Sequence, residues 1–249
     1  MPIKKYKLLI SYDGTNYGGW QVQANSVSIQ TLVQKALETV LRKPTPVIGA
    51  GRTDAGVHAL GQTAHFNFLE DIPLSRLCFS LNALLPHDIR VRNVEEAAED
   101  FHARYSAVGK TYHYHIHLDR VINPFKRLYS THILHRINVD LLHRAAPLFI
   151  GSHDFTSFAH EAKEGSASRN AVRTLRRLDL VEEPGGIRFE FEGDGFLYKM
   201  VRNIVGTLLD VSRNHIALDG IAEIFQAKDR RKAGRTAPPQ GLFLMQVHY

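Results

Sequence analysis

The sequence predicts an α+β fold, a mostly antiparallel mixed sheet flanked by helices and arranged in two similar lobes. Its strand-like and helix-like segments intermingle without the regular β-α-β alternation that a doubly wound parallel sheet requires. Strand, helix and strand patterns occur in both halves of the 249-residue chain. We therefore expect an N-terminal lobe of residues 1–104 and a C-terminal lobe of residues 105–249.

The N-terminal half begins with a strand and a helix. Residues 5–12 alternate in the way a half-buried strand requires, which places four large side chains on one face: Tyr6, Leu8, Ile10 and Tyr12. Apolar residues then recur at helical spacing over residues 29–41, and Ser28 is the predicted N-cap. Strands over residues 62–68 and 90–94 enclose a helix predicted at residues 74–85.

The C-terminal half repeats this mixture. A strand is predicted over residues 111–118, and Asn138 is predicted to cap a helix that runs to Ile150, followed by Gly151. The remaining elements are strands over 175–181 and 187–192, helices over 196–211 and 218–225, and a closing strand over 242–249. Residues 161–168 and 228–240 are expected to be mobile loops.

Composition favours a basic protein in a reducing compartment. The chain has 31 Lys and Arg against 25 Asp and Glu, a net charge of +6, which favours a polyanionic partner such as nucleic acid. Cys78 is the only cysteine, so an intrachain disulfide is excluded. The charged, alternating N-terminus is unlike a signal peptide, and no apolar run reaches membrane-spanning length. These features predict a soluble, cytoplasmic protein with no membrane contact.

Common cofactor motifs are absent from the sequence. It has no Walker loop, no Gly-x-Gly-x-x-Gly before a helix and no Gly-x-Ser-x-Gly elbow. The alternating His113, His115 and His117 would share one strand face, but a metal site there would need further ligands or supporting acids. We expect instead a solvated or RNA-facing strand surface, and neither a cofactor nor a metal.

An acid surrounded by small residues is the most informative local feature. Asp54 lies in the segment Gly-Ala-Gly-Arg-Thr-Asp-Ala-Gly-Val-His, residues 49–58. Small neighbours let a large, flat partner approach the backbone beside the carboxylate. Alone, the pattern would equally suit a Gly-rich turn in which Asp is only a favourable turn residue.

Cations alternate with aromatic residues at four places in the chain. These places are Arg104-Tyr105, Lys110-Thr111-Tyr112, Lys126-Arg127-Leu128-Tyr129 and residues 198–203. Cations can neutralise phosphates while aromatic rings stack on exposed bases, so together the four segments favour RNA. Arg202, in an apolar helix pattern, either extends its charge to solvent or pairs with a partly buried acid.

Six ordered segments resemble the TruA family of tRNA pseudouridine synthases. The segments are residues 12–21 (YDGTNYGGWQ), 51–58 (GRTDAGVH), 110–114 (KTYHY), 151–155 (GSHDF), 195–202 (GFLYKMVR) and 236–242 (TAPPQGL). The resemblance implies an enzyme that isomerises uridine to pseudouridine in the tRNA anticodon stem-loop, at positions 38–40, without cofactor or metal. It also implies two lobes with the active-site cleft between them, and a homodimer in which one tRNA touches both subunits.

The resemblance also assigns roles to individual residues. Asp54 corresponds to the nucleophile and Arg202 to an arginine that pairs with it. Tyr112 corresponds to a tyrosine that stacks on the target base, Arg52 to a contact for RNA phosphate or for base flipping, and Leu242 to a residue lining the pocket. Lys199 and Arg235 depart from the family pattern without bearing on this chemistry.

Two other classes of function remain open at this level. A noncatalytic RNA-binding protein would share the basic charge, although a carboxylate in a basic cleft weakens phosphate binding. A metal-dependent nuclease could use Asp54 and the histidine strand, but the sequence shows no second acid near Asp54. The residues also leave open whether Asp54 attacks the sugar C1′ or the uracil C6.

Overall fold

The computed structural model describes residues 3–160 and 170–249, and the chain divides into two compact units. Unit 1 comprises Met1–Val108 and Phe243–Tyr249, and unit 2 comprises Gly109–Leu242. The final strand thus groups with unit 1, although the sequence analysis assigned it to the second lobe. It does so because Phe243 and Leu244 pair in parallel with His58 and Ala59, a long-range pairing that no local pattern reports.

The elements of unit 1 are β1 Lys4–Tyr12, α1 Ile29–Leu41, β2 Ile48–Gly49, β3 His58–Phe68, α2 Leu74–Leu84, β4 Ile89–Ala97 and β10 Leu242–His248. Its strands lie in the order β4-β1-β3-β10, and β2 pairs with β3. The β1–β3, β1–β4 and β2–β3 pairings are antiparallel, and β10 runs parallel to β3.

The predicted buried face of β1 and the predicted cap of α1 are both confirmed. The alternating face of β1 is almost fully buried, with exposures of 4% or less for its four residues Tyr6, Leu8, Ile10 and Tyr12. The Ser28 hydroxyl caps α1 by accepting a hydrogen bond from the Thr31 N–H at 3.2 Å. This cap satisfies a donor that the first helical turn leaves without a partner.

The elements of unit 2 are β5 Gly109–His117, β6 Thr131–His132, α3 Val139–Ala145, β7 Gly151–Asp154, β8 Val172–Glu183, β9 Gly186–Gly193, α4 Met200–Ser212 and α5 Gly220–Ala227. Its strands lie in the order β5-β9-β8-β7, all antiparallel, and the short β6 pairs in parallel with β5. The mostly antiparallel pairing in each unit confirms the predicted α+β class. No helix in the described ranges is long and apolar enough to cross a bilayer.

Three predicted helices have the wrong bounds, and the one predicted at residues 218–225 lies two residues later, at Gly220–Ala227. The helix capped by Asn138 ends at Ala145 rather than Ile150, and a 3-10 turn follows over Ala146–Phe149. Pro147 causes the change because it has no N–H to donate to the preceding turn. The helix predicted from residue 196 begins only at Met200, because Lys199 adopts a left-handed conformation with φ 60°.

The two predicted loops have different outcomes. Residues 161–168 lie outside the described residues. Residues 228–240 form irregular structure with 3-10 turns at Arg230–Lys232 and Pro239–Gly241, and they are attached to α4 rather than loose. The Gly234 N–H donates to the Thr207 hydroxyl at 2.9 Å, and the Ala237 N–H donates to the Arg202 carbonyl at 3.0 Å.

Candidate active site

Asp54 lies on a tight turn in unit 1, between β2 and β3. Its carbonyl accepts a hydrogen bond from the Val57 N–H at 3.1 Å, and Gly56, the third residue of the turn, has φ 76°. A side chain at Gly56 would be strained in this left-handed conformation. The half-buried Asp54 is therefore held on a backbone of defined geometry.

The segment at residues 12–21 packs around this turn. The Trp20 N–H donates to the Thr53 carbonyl at 3.1 Å, and the Gly56 N–H donates to the Tyr17 carbonyl at 3.3 Å. Gly19 has φ 92°, and a Cβ there would lie 2.3 Å from the Thr53 oxygen. Residues 12–21 and the Asp54 turn, which the sequence analysis treated as separate motifs, therefore pack together. Residues 12–21 are called the clamping segment below.

A buried phenol supports the base of the turn. The Tyr12 hydroxyl and the Thr53 hydroxyl lie 2.8 Å apart in a hydrogen bond, and Tyr12 is 4% exposed. Burial raises the pKa of Tyr12 far above its usual value. The phenol therefore stays neutral and serves as a structural hydrogen-bonding group beneath Thr53.

Arg52 lies two residues before Asp54 and is exposed. Its Nε donates to the Gln21 side-chain oxygen at 3.3 Å, so the guanidinium rests against the end of the clamping segment. Unit 1 thus brings Arg52 and Asp54 together on one loop, with a surface cation beside a half-buried acid.

Tyr112 lies on β5 in unit 2 and is 7% exposed. Its ring packs edge-to-face on Phe196, with centroids 5.0 Å apart, and it pairs across the strands with Phe191 of β9. Aromatic packing of this kind fixes the ring plane. The predicted stacking residue is therefore held rigidly by unit 2 itself.

Arg202 occupies the first turn of α4 and makes two contacts with one residue of segment 236–242, here called the closing segment. Its Nε donates to the Ala237 carbonyl at 2.8 Å, while its own carbonyl accepts from the Ala237 N–H at 3.0 Å. Gly206 permits this approach, since a Cβ there would lie 1.6 Å from the Arg235 oxygen. The Nε contact orients the guanidinium.

The closing segment also reaches the tyrosine strand. The Tyr114 hydroxyl donates to the Pro238 carbonyl at 2.8 Å, and a Cβ on Gly241 would lie 2.7 Å from the His115 oxygen. Leu242, the next residue, is 6% exposed. Residues 110–114, 195–202 and 236–242 therefore meet within unit 2, which brings Tyr112, Arg202 and Leu242 into one region.

Tyr114 is a site-region residue that the sequence analysis missed. Its hydroxyl also lies 2.6 Å from the Thr131 hydroxyl, and the side chain is fully buried. Burial raises its pKa well above the usual tyrosine range, although the nearby positive charge of Arg202 acts in the opposite direction. The signal was available, because Tyr114 follows Tyr112 by two residues on an alternating strand and so shares its face.

The sequence analysis expected a solvated or RNA-facing surface on the histidine strand, and the structure leaves His113 and His115 partly exposed but buries His117. His117 is 4% exposed, and the His115 Nδ1 lies 2.9 Å from a Glu183 oxygen. His113 is opposite Glu190 in the β5–β9 register, which places an acid beside it. Among the described residues, no group of three or more His, Cys, Asp or Glu side chains could hold a metal ion.

Enzymes with a nucleophilic carboxylate use groups of this kind, namely a half-buried carboxylate on a fixed turn and an oriented arginine. The model of one protein family, described as tRNA pseudouridine synthase, matches residues 8–106 and 145–249. The matched segments contain Asp54 and Arg202, while Tyr112 lies between them. The chain therefore belongs to the tRNA pseudouridine synthase family and is an isomerase, which confirms the predicted family and enzyme class.

Individual relatives match along nearly their whole length. A tRNA pseudouridine synthase A 1 from Protochlamydia amoebophila is 59% identical, with 98% of this chain and 96% of the relative covered. A tRNA pseudouridine synthase A from Bacillus subtilis is 45% identical, covering 98% of this chain and 99% of the relative. Among solved structures, a Cbf5-Nop10-Gar1 complex aligns with 96% of this chain and 57% of its own at 13% identity and a TM-score of 0.36. That likeness is too low to support an argument.

Proposed function

We propose that this protein isomerises uridine to pseudouridine in the anticodon stem-loop of tRNA, at positions 38–40, with Asp54 as nucleophile. The observation that carries the proposal is the Asp54 turn, whose carboxylate is half-buried on a backbone locked by the Val57 N–H and by Gly56. The relatives, named as tRNA pseudouridine synthases A, support the reaction and the RNA.

The chemistry requires a temporary covalent partner. The N1–C1′ glycosidic bond of uridine breaks, the base turns over, and C1′ is rejoined to C5 of uracil. C5 then loses its proton and N1 gains one, so the overall change is an isomerisation. A carboxylate can hold either the sugar C1′ or the uracil C6 during that turn and then leave unchanged. The target uridine must also leave its stack to be reached, which is the general task that base flipping performs.

The other residues have proposed roles that follow from their surroundings. Arg202, oriented by Ala237, pairs with the carboxylate. Tyr112, fixed on Phe196, stacks on the flipped base, and Leu242 lines the pocket. The exposed Arg52 contacts phosphate or assists flipping. We further propose two lobes with an active-site cleft between them, a cytoplasmic homodimer, and catalysis without cofactor.

The decisive experiment compares the wild type with Asp54→Asn on an unmodified tRNA transcript in the presence of a strong chelator. Pseudouridine is mapped chemically at each anticodon-arm uridine, and transcript affinity is measured in parallel. We expect the substitution to abolish isomerisation while affinity stays equal or becomes slightly tighter, because it removes only a negative charge. Asp100→Asn, on an exposed residue of the same unit, is the matched control and should behave as wild type.

Other outcomes separate the alternative functions. Undiminished turnover by Asp54→Asn would remove Asp54 from the chemistry. Binding of the transcript by a wild type that forms no pseudouridine would favour a noncatalytic RNA-binding role. Loss of wild-type activity on addition of chelator would favour a metal-dependent reaction.

A further inference from the structure

A basic and apolar surface lies in unit 2 between β5 and α3, over residues 119–136, here called the 119–136 surface. Val121, Phe125 and Leu134 are 80%, 84% and 70% exposed. Exposure of large apolar side chains to water is unfavourable, and three of them within one short segment indicate an interaction site. None of these residues contributes to the site described above.

The most exposed ring of this surface is held on a fixed turn. Phe125 lies in the 3-10 turn Pro124–Lys126, and its N–H donates to the Asn123 side-chain oxygen at 2.9 Å. The Tyr129 N–H donates to the Lys126 carbonyl at 2.9 Å, which closes the following turn. A ring presented on an ordered backbone loses little conformational entropy when a partner packs against it.

The charge of the surface indicates the kind of partner. The segment has four cations, Arg120, Lys126, Arg127 and Arg136, and a single carboxylate, Asp119. The Lys126 ammonium donates to the Pro184 carbonyl at 2.8 Å, and the Arg127 guanidinium donates to the Pro124 carbonyl at 2.7 Å. Carbonyls orient these groups without neutralising their charge. A second copy of this surface would bring cations against cations, so a polyanion is the better partner.

We propose that the 119–136 surface binds the tRNA substrate away from the target uridine, with Phe125 stacking on an unpaired base and the cations contacting phosphates. This inference rests on the proposed function, which supplies the RNA. It extends the site along β5, because β6 at the end of the segment pairs with Ile116 and His117. His117 lies about 17 Å along the strand from Tyr112, roughly the length of five stacked nucleotides.

The first test replaces the ring. The dissociation constant of the full-length protein for an unmodified tRNA transcript is measured for Phe125→Ala and Phe125→Tyr. We expect Phe125→Ala to bind roughly five- to a hundredfold more weakly, the loss typical of one base–aromatic stack, and Phe125→Tyr to bind as wild type. Phe79→Ala, on a ring that is 76% exposed on α2 of unit 1, is the matched control and should not change the affinity.

The second test removes charge. The double variant Arg120→Gln, Arg136→Gln should reduce the salt dependence of binding, lowering the slope of log K against log salt by about two if both cations contact phosphates. Arg231→Gln removes a charge from an arginine of unit 2 that is paired with Asp229 at 2.8 Å. It should leave the slope unchanged.

Two results would overturn the proposal. One is an unchanged affinity in Phe125→Ala together with an unchanged slope in the double variant. The other is a weaker affinity that accompanies a drop in molar mass by light scattering, which would assign the surface to contact between copies of the chain. Pseudouridine formation by the wild type is measured in the same reactions. Its absence would refute the proposed function, whereas its presence with unaltered binding would refute only this surface.

Discussion

At the scale of single residues, the candidate site depends on a few positions that only one residue type can occupy. Gly19 and Gly56 have φ values of 92° and 76°, and Cβ atoms on Gly19 and Gly14 would collide with the backbone of Thr53 and Val57. Side chains at these positions would push the clamping segment away from the Asp54 turn. These glycines are therefore required by close backbone packing.

Arg202 is expected to act on the chemistry more than on RNA affinity. Because its Nε is engaged by the Ala237 carbonyl, the guanidinium is oriented as a local group rather than extended toward a distant phosphate. Arg202→Ala should slow single-turnover isomerisation by roughly a hundredfold or more, in line with loss of an electrostatic partner of the reacting group, with little change in tRNA affinity.

Arg202→Lys is the control for this prediction, since it keeps the charge but loses the Nε–H contact. It should recover only part of the rate. A large loss of tRNA affinity with a normal single-turnover rate would instead place Arg202 on the phosphate backbone.

His65 should make unit 1 less stable in acid. Burial, with smaller contributions from His102 and Lys5, lowers the pKa of His65 from 6.5 to about 4, and its Nδ1 accepts the Ala103 N–H at 3.1 Å. Between pH 6.5 and 4 the unfolded chain binds a proton here that the folded chain does not. Stability therefore falls as the pH decreases through this window, by an amount on the order of 3 kcal/mol.

His65→Asn tests this, because the amide oxygen can still accept the Ala103 N–H but does not titrate. Urea unfolding at pH 7 and pH 4.5 should show a smaller loss of unfolding free energy for the variant than for the wild type. Equal losses in the two proteins would mean that other groups cause the acid sensitivity.

At the scale of elements, hydrogen bonds between the closing segment and α4 hold Arg202 in place. The Thr236 hydroxyl donates to the Asn203 side-chain oxygen at 2.7 Å and accepts from the Arg230 guanidinium at 3.0 Å. Asn203, which is fully buried, donates in turn to the Phe158 carbonyl at 2.7 Å. This network fixes the backbone next to Ala237, which hydrogen-bonds to both the Nε–H and the carbonyl of Arg202. Thr236 is therefore a positioning residue.

Thr236→Val removes the hydroxyl at nearly constant volume. We expect kcat to fall roughly ten- to a hundredfold, as a misplaced catalytic group can cause, while KM and tRNA affinity stay close to wild type. Thr236→Ser retains the hydroxyl and should restore most of kcat. A parallel rise in KM, or a serine variant as slow as the valine variant, would show that Thr236 does not act through Arg202.

At the scale of the whole molecule, net charge dictates how RNA binding depends on salt. With a net charge of +6 and several phosphates engaged, tRNA affinity should fall by roughly a thousandfold or more between 50 and 200 mM salt. The measurement is a titration of the transcript at a series of salt concentrations, at constant pH. A flat dependence would contradict binding through phosphates.

Much of the fold could be predicted because its elements follow local rules. The period-two pattern of β1 and the period of α1 after the Ser28 cap are set by which side chains must be buried. The start of α4 could not be predicted, because Lys199 adopts a left-handed conformation that the apolar pattern of residues 196–211 does not report. The end of the helix that follows Asn138 could have been predicted, because Pro147 is visible in the sequence.

The sequence by itself determined the α+β class, most strands and helices, the family and the residues that carry the proposed chemistry. These features depend on local periodicity or on motifs that can be recognised one at a time. Only the tertiary structure decided that residues 12–21 clamp the Asp54 turn, that Tyr114 meets Pro238, and that Ala237 orients Arg202 from 35 residues away. Such contacts join segments whose separation in the chain carries no pattern, so they are decided by packing and hydrogen bonding in the folded protein.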